Sequence, residues 1–247
     1  MTQTDVTGIF YGIGVGPGPE GYLPVAALDA LNKAEIIYVP KSRGSDQSIA
    51  IQCLTGINID KQKFREIEFT MATDRSLLST HYSELAKTIA TDLKKGISVA
   101  YLTIGDTMTY STYGYLLAAL LDQLPKLPHR TFPGITSYSA AASALAWPLG
   151  EGKERILILP CPDSPESLRK DIESHDVVIL MKIGTRLEWV LSLLNEMQIS
   201  KNCSFARRIG LPGELLTNDI INLQISQATG YLATLLIRKT AREKRHS

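Results

Sequence analysis

The sequence has little of several things that would assign a function directly. Cysteine is scarce: Cys53, Cys161 and Cys203 are the only three in 247 residues. They lie far apart, are odd in number and match no metal-ligand spacing. That usage excludes a disulfide scaffold and leads to the expectation of a reducing, cytoplasmic compartment. Neither sign of charge is in excess, with 26 Lys+Arg against 25 Asp+Glu and a formal net charge of +1. There is therefore no electrostatic case for long nucleic acid as a partner. The longest apolar stretch, around residues 115–121, falls far short of the ~20 residues that a membrane helix needs, so no membrane partner is expected. Residues 1–7 are polar and lack the basic and apolar regions of a signal peptide. The four histidines, His81, His129, His175 and His246, form no paired motif, and no metal is expected. A Gly-x-Ser-x-Gly elbow and a Gly-Lys-Ser/Thr phosphate loop are both missing, which removes support for a hydrolase triad or a P-loop enzyme.

What is present is an ordinary globular composition, 44% hydrophobic and 21% charged, long enough for one large domain or two small ones. Short β-rich runs alternate with amphipathic stretches. Strands are predicted over 9–13, 35–39 (stopped by Pro40) and 97–104. Helices are predicted over 24–33, 77–93 (ended by Gly96) and 111–121. This alternation argues for a mostly parallel sheet covered by helices. Pro125 and Pro128 interrupt the pattern and mark a boundary, giving an N-terminal α/β domain over 1–127 and a C-terminal one over 128–240. In the second half, strands over 130–132, 155–159, 176–182, 203–208 and 230–238 lie closer together. Helices fall over 136–145 and 187–197, so a mixed sheet is expected there. The end, with Arg238, Lys239, Arg242, Lys244 and Arg245, reads as a solvated basic tail, with residues 241–247 outside both domains.

Ligands of open α/β sheets bind outside the carboxyl ends of the strands, and three loops stand at such ends. The first runs from Gly12 to Gly21 and is rich in glycine, which lets the chain turn tightly and a ligand approach closely. Its spacing is not that of a dinucleotide loop, because Pro17 and Pro19 stand where the third glycine is required. It suits packing against a neutral or cationic ligand, or simply a tight turn. The second contains Ile104, Gly105, Asp106 and Thr109. Asp106 could neutralise a cation or handle a proton, or it could form an N-terminal helix cap or an Asx turn. The third contains Thr136 and Ser137 before an alanine-rich helix, which permits a flat ligand or dense packing. Lys41 with Arg43, Lys153 with Arg155, and Arg207 with Arg208 could hold carboxylates. Taken by themselves the residues specify a two-part α/β protein with a cleft lined by three small-residue loops.

Taken in order, residues 12–18, Gly105-Asp106, Pro133-Gly-Ile-Thr-Ser137 and Val178-Ile-Leu-Met-Lys182 resemble the tetrapyrrole (corrin/porphyrin) methylase family. The resemblance runs from Gly8 to about Lys239. Within the family, Tyr38-Val-Pro-Lys41, residues 105–113 and Ile179-Leu-Met-Lys-Ile-Gly184 are most similar to the enzymes that methylate C-20 of precorrin-2 or cobalt-factor II. The resemblance implies an S-adenosylmethionine-dependent methyltransferase of cobalamin biosynthesis with a small-molecule tetrapyrrole substrate. It also implies a homodimer, and two α/β domains with the methyl donor in the cleft between them. It places Gly16, Pro17, Ile104, Gly105, Asp106, Thr109, Thr136, Ser137 and Met181 against the donor. Asp106 would be the residue near the reacting centre, orienting substrate or accepting a proton.

A polycarboxylate substrate on a chain of net charge +1 requires locally gathered cations, for which Lys41, Arg43 and Arg186 are the candidates. Three positions depart from the family pattern. Pro19 stands where an Asp is usual, and Thr107 stands where a Pro is usual. Pro40 occupies the place of an Asp found in sirohaem-route relatives, which argues against uroporphyrinogen as substrate. Two other classes stay open. One is a methylase of this fold acting at another ring position or on a non-tetrapyrrole acceptor. The other is a non-catalytic nucleotide-binding α/β module.

Overall fold

The computed structural model describes residues 7–18, 21–42, 47–69, 75–224 and 229–242. The chain divides into two compact units, Met1–Thr136 and Ser137–Ser247.

The first unit alternates strands and helices: β1 (Phe10–Gly14), α1 (Val25–Lys33), β2 (Ile36–Ser42), α2 (Ile49–Gln52), β3 (Phe64–Phe69), α3 (Arg75–Lys94), β4 (Val99–Thr103), α4 (Tyr113–Gln123) and β5 (His129–Phe132). Its sheet has the order β3-β2-β4-β1-β5, and every pairing is parallel. β1 and β4 are fully buried, as expected for strands covered by helices on both faces. On one face Tyr82, Leu85, Ile89 and Leu93 of α3 and Tyr113, Leu116 and Leu120 of α4 pack against Phe10, Tyr38, Val99 and Tyr101. The periodicity of residues 77–93 therefore becomes the core-facing stripe of α3 (the side chains of 75–79 are outside the described set). Gly96, at φ 83°, donates its N–H to Leu93 and ends the helix as expected.

The second unit contains α5 (Ser137–Ala144), β6 (Ile156–Pro160), α6 (Pro165–Ser174), β7 (Val177–Met181), α7 (Leu187–Glu196), β8 (Cys203–Arg207), β9 (Leu215–Thr217) and β10 (Ala233–Arg238). The sheet order is β6-β7-β10-β8-β9. β6 runs parallel to β7, while β10 is antiparallel to both β7 and β8, and β8 to β9. The mixed sheet expected for the second half is thus present. Leu168 and Ile172 of α6 and Leu187, Val190, Leu193 and Leu194 of α7 bury against Val178, Leu180, Phe205, Leu235 and Ile237.

Four differences from the sequence-based expectations have physical causes. Pro40 does not stop β2, which continues to Ser42. Pairing with β4 ends at Tyr38, so beyond it β2 is bonded only on its β3 side and a residue without N–H is tolerated. β5 was expected in the C-terminal domain; its four residues pair with β1, and the first unit extends to Thr136. α2, β3, α6 and β9 are not among the elements predicted from the sequence. β3 (FREIEF) is a half-charged edge strand without a regular apolar alternation, and α6 follows a Ser164 cap with Pro165 in its first turn. The basic end is not solvated throughout. Arg238 is 4% exposed, ion-pairs with Glu154 and donates to the Pro148 carbonyl at 2.8 Å. Arg242 grips Glu151 through two bonds of 2.6 and 2.9 Å. Residues 243–247 lie outside the described set.

Candidate active site

Parallel strands deliver their loops to one end of the sheet. In the first unit β1, β4 and β5 are neighbours, so the three small-residue loops emerge side by side. The first and second loops are joined main chain to main chain. Gly16 donates to Gly105 at 3.2 Å and Gly105 donates back at 2.8 Å, while Val15 donates to Thr103 at 2.9 Å. The second and third interlock where side chains are missing. A Cβ on Gly134 would lie 2.0 Å from the Gly105 carbonyl oxygen, and one on Gly14 would lie 2.6 Å from it. Only glycine admits that approach.

Asp106 fastens this arrangement. Its Oδ1 accepts the N–H groups of Met108 and Thr109, each at 2.9 Å, and its Oδ2 accepts the N–H of Gly134 at 3.0 Å. Burial alone would raise its pKa; the N–H groups of Met108, Gly134 and Thr109 and the Thr109 hydroxyl outweigh that, and the net direction is down. The carboxylate is held ionised. Beside it Thr107 is buried, with its hydroxyl donating to the Phe132 carbonyl at 3.2 Å. Of the two local readings of Asp106, the Asx turn is what forms, with Oδ1 accepting the N–H two residues on, and the helix cap is not. α4 begins at Tyr113, and the N–H of Tyr113 is taken by the Ser111 hydroxyl.

Around these polar staples the surface is apolar. Ile104, Met108, Tyr110 and Ile135 are all exposed, and Tyr110 holds a left-handed backbone at φ 52°, a strained conformation of the kind that concentrates at functional sites. Exposed large apolar side chains together with closely approachable main chain suit an organic ligand. Gly105 itself, at φ 71°, would present an added Cβ to nothing nearer than the Ile135 oxygen at 3.9 Å, so its Cα borders open space. Among the described residues, no three His, Cys, Asp or Glu converge as metal ligands.

In the second unit Ser137 and Met181, both expected at the site, meet. The Ser137 hydroxyl lies 3.9 Å from the Met181 sulfur and accepts a bond from the Thr234 hydroxyl at 3.0 Å. Thr234, which the sequence reading did not single out, joins this pair. It faces Met181 in the β10–β7 register and is 2% exposed. A lone Thr inside the apolar run of β10 was the available signal.

The expected substrate-holding cations are engaged. Lys41 pairs with Glu66 at 3.1 Å. Glu66 also accepts the Ser48 N–H at 3.1 Å; burial raises its pKa, but Ser48 and Lys41 outweigh that and lower it. Arg186, at the start of α7, pairs with Asp163 at 2.5 Å. Arg43 lies outside the described residues.

The chain is 24% identical over 95% of its length to the cobalt-precorrin-2 C(20)-methyltransferase of Salmonella typhimurium, covering 98% of that protein. It is 34% identical to a Methanocaldococcus jannaschii protein named "Probable cobalt-precorrin-2 C(20)-methyltransferase", over 70% of this chain and 71% of the other. Its fold is similar to that of uroporphyrin-III C-methyl transferase from Thermus thermophilus complexed with S-adenosylhomocysteine, with TM-score 0.59, 18% identity and 94% and 97% of the two chains covered. The family model for tetrapyrrole (corrin/porphyrin) methylases matches residues 10–221. That match begins at the first residue of β1, takes in all three loops and runs past β9, and the chain belongs to the tetrapyrrole methylases.

Proposed function

We propose that this chain methylates C-20 of precorrin-2, or of its cobalt-loaded counterpart, in cobalamin biosynthesis, with S-adenosylmethionine as methyl donor. The observation that carries this reading is the interlock of the three strand-end loops through Gly14, Gly16, Gly105, Asp106 and Gly134, in a chain whose relatives of that named activity align along most of their length. When bound, S-adenosylmethionine supplies an electrophilic methyl group on a positively charged sulfur. In the first unit Gly16, Pro17, Ile104, Gly105, Asp106, Thr109 and Thr136 would hold the donor; in the second, Ser137 and Met181 would.

The protein's contribution is positioning, which can supply about 7–11 kcal/mol of a barrier. Asp106 fits the orienting role rather than that of a base. A carboxylate that already accepts three N–H groups, with its pKa lowered, is a poor proton acceptor. Committing its charge to the main chain also avoids stabilising the sulfonium ground state, which would slow transfer. Lys41 and Arg186 would exchange their glutamate and aspartate partners for substrate carboxylates. The Arg186–Asp163 pair, with its aspartate well exposed, costs about 0–1 kcal/mol to separate; Lys41 is largely covered, and parting it from Glu66 costs more.

We further infer a homodimer acting in the cytoplasm. The first follows from the family resemblance, and light scattering on the purified chain tests it. The second is supported by three buried, unpaired cysteines. The central experiment is incubation with S-adenosylmethionine and precorrin-2, metal-free and cobalt-loaded. A gain of one methyl, located at C-20, is expected; no methyl gain on either form would overturn the assignment.

A further inference from the structure

Thr107 and Asp106 are consecutive, and both reach from the second loop to the third. Thr107 donates to the Phe132 carbonyl at 3.2 Å, and Asp106 accepts from the Gly134 N–H at 3.0 Å. The two grips straddle Pro133, which has no N–H of its own to offer. Phe132 ends β5, an edge strand, and its carbonyl, already in the ladder to β1, takes a second bond from a side chain that is 1% exposed. At this position the family pattern usually has a proline, which carries no hydroxyl.

We propose that Thr107 is a positioning residue. Through the Phe132 carbonyl it sets how closely the third loop lies against the second, and so where Gly105, Asp106 and Ile135 meet the methyl donor. This rests on the reading above that these loops hold the donor. The physical case has two parts. Removing the hydroxyl leaves that carbonyl bonded to β1 alone, so the second loop loses its side-chain tie to the end of β5 and is free to move against it. The Gly105–Gly134 approach has no slack, so a shift at Phe132 is passed directly to Gly134. The β-branch of threonine adds stiffness at χ1, which keeps the hydroxyl aimed.

The test measures S-adenosylhomocysteine binding by calorimetry, donor KM and kcat, and thermal unfolding on the whole chain. The variants are Thr107→Val, Thr107→Ser and a control, Ile89→Val, in the buried face of α3. Thr107→Val is expected to raise the Kd for S-adenosylhomocysteine about fivefold. Donor KM should rise by a similar factor with kcat within about twofold, and Thr107→Ser should restore both. Ile89→Val should lower the melting temperature and leave Kd unchanged. Wild-type affinity in Thr107→Val, or an equal loss of affinity in Ile89→Val, would overturn the proposal while leaving the methyltransferase reading intact. Absence of binding by the unaltered chain would overturn both. If the valine variant does not fold, Thr107→Ala measured against Thr107→Ser makes the same comparison.

Discussion

The carboxylate of Asp106 accepts the main-chain N–H of Gly134 at 3.0 Å, tying the loop after β4 to the loop after β5. With the N–H groups of Met108 and Thr109 on its other oxygen, this one side chain organises the carboxyl end of the first sheet. Asp106→Ala should lower the stability of the chain by about 1–3 kcal/mol and reduce S-adenosylhomocysteine affinity at least about tenfold. Near wild-type turnover with unchanged affinity would contradict the role given to it.

The same carboxylate predicts a pH dependence. Its folded-state pKa is depressed, so its contribution is complete above the unfolded Asp value of about 3.9 and is lost as pH falls through the lower folded value. In urea titrations wild type should exceed Asp106→Asn in stability at pH 6. The gap should close as the pH falls below about 3.9. A gap independent of pH would assign the effect to shape rather than charge.

Two glycines should respond oppositely to alanine. At Gly134 the new Cβ would sit 2.0 Å from the Gly105 oxygen, and overpacking of that kind costs about 1–3 kcal/mol. At Gly114, in the first turn of α4, the new Cβ meets nothing within 4 Å. Gly114→Ala should therefore stabilise by about 0.4–1 kcal/mol. Chemical denaturation of both variants checks the pair.

Burial pushes the thiols of Cys53 and Cys203 up to about 12 and that of Cys161 to about 11. All three should react slowly with Ellman's reagent in the native protein at pH 8. Unfolding in urea should release three thiols per chain. A rapid stoichiometric burst in the native state would show one of them to be accessible and activated.

Glu154 is the counter-charge to Arg238, whose side chain is 5% exposed and whose guanidinium lies 5.0 Å from the centre of the Trp147 ring. Glu154→Gln leaves a buried cation without its partner. The expected loss is about 3 kcal/mol, toward the lower end for a broken buried pair because Glu154 keeps some solvent contact. A melting temperature like wild type would mean that Trp147 and Pro148 suffice to hold Arg238.

Much of the architecture was legible in local signals, because hydrophobic periodicity and terminal glycines act within a few residues. The stripe Tyr82, Leu85, Ile89 and Leu93 and the stop at Gly96 needed no knowledge of the rest of the chain. Each of the three small-residue loops was legible at its own strand end, but their gathering beside one another depends on which strands pair. β5 was not placed correctly because strand pairing is non-local. Pro125 and Pro128 break a helix, but nothing beside them states that His129–Phe132 will pair with Phe10–Ile13. The basic end was misjudged for the same reason. Glu151 and Glu154, which hold Arg242 and Arg238, lie 91 and 84 residues away.

By itself, then, the sequence determined the alternation of strands and helices, the small residues of the loops and the family they resemble. Only the tertiary structure decided what those residues do to one another. Asp106 could have been a helix cap or a base; parallel pairing brings Gly134 within 3.0 Å and makes it a staple. Thr234 could have been an ordinary strand residue; its register against Met181 puts its hydroxyl on Ser137. Side-chain chemistry is carried by the residue, but a hydrogen bond requires a partner at about 3 Å, and here that partner comes from the pairing of distant strands.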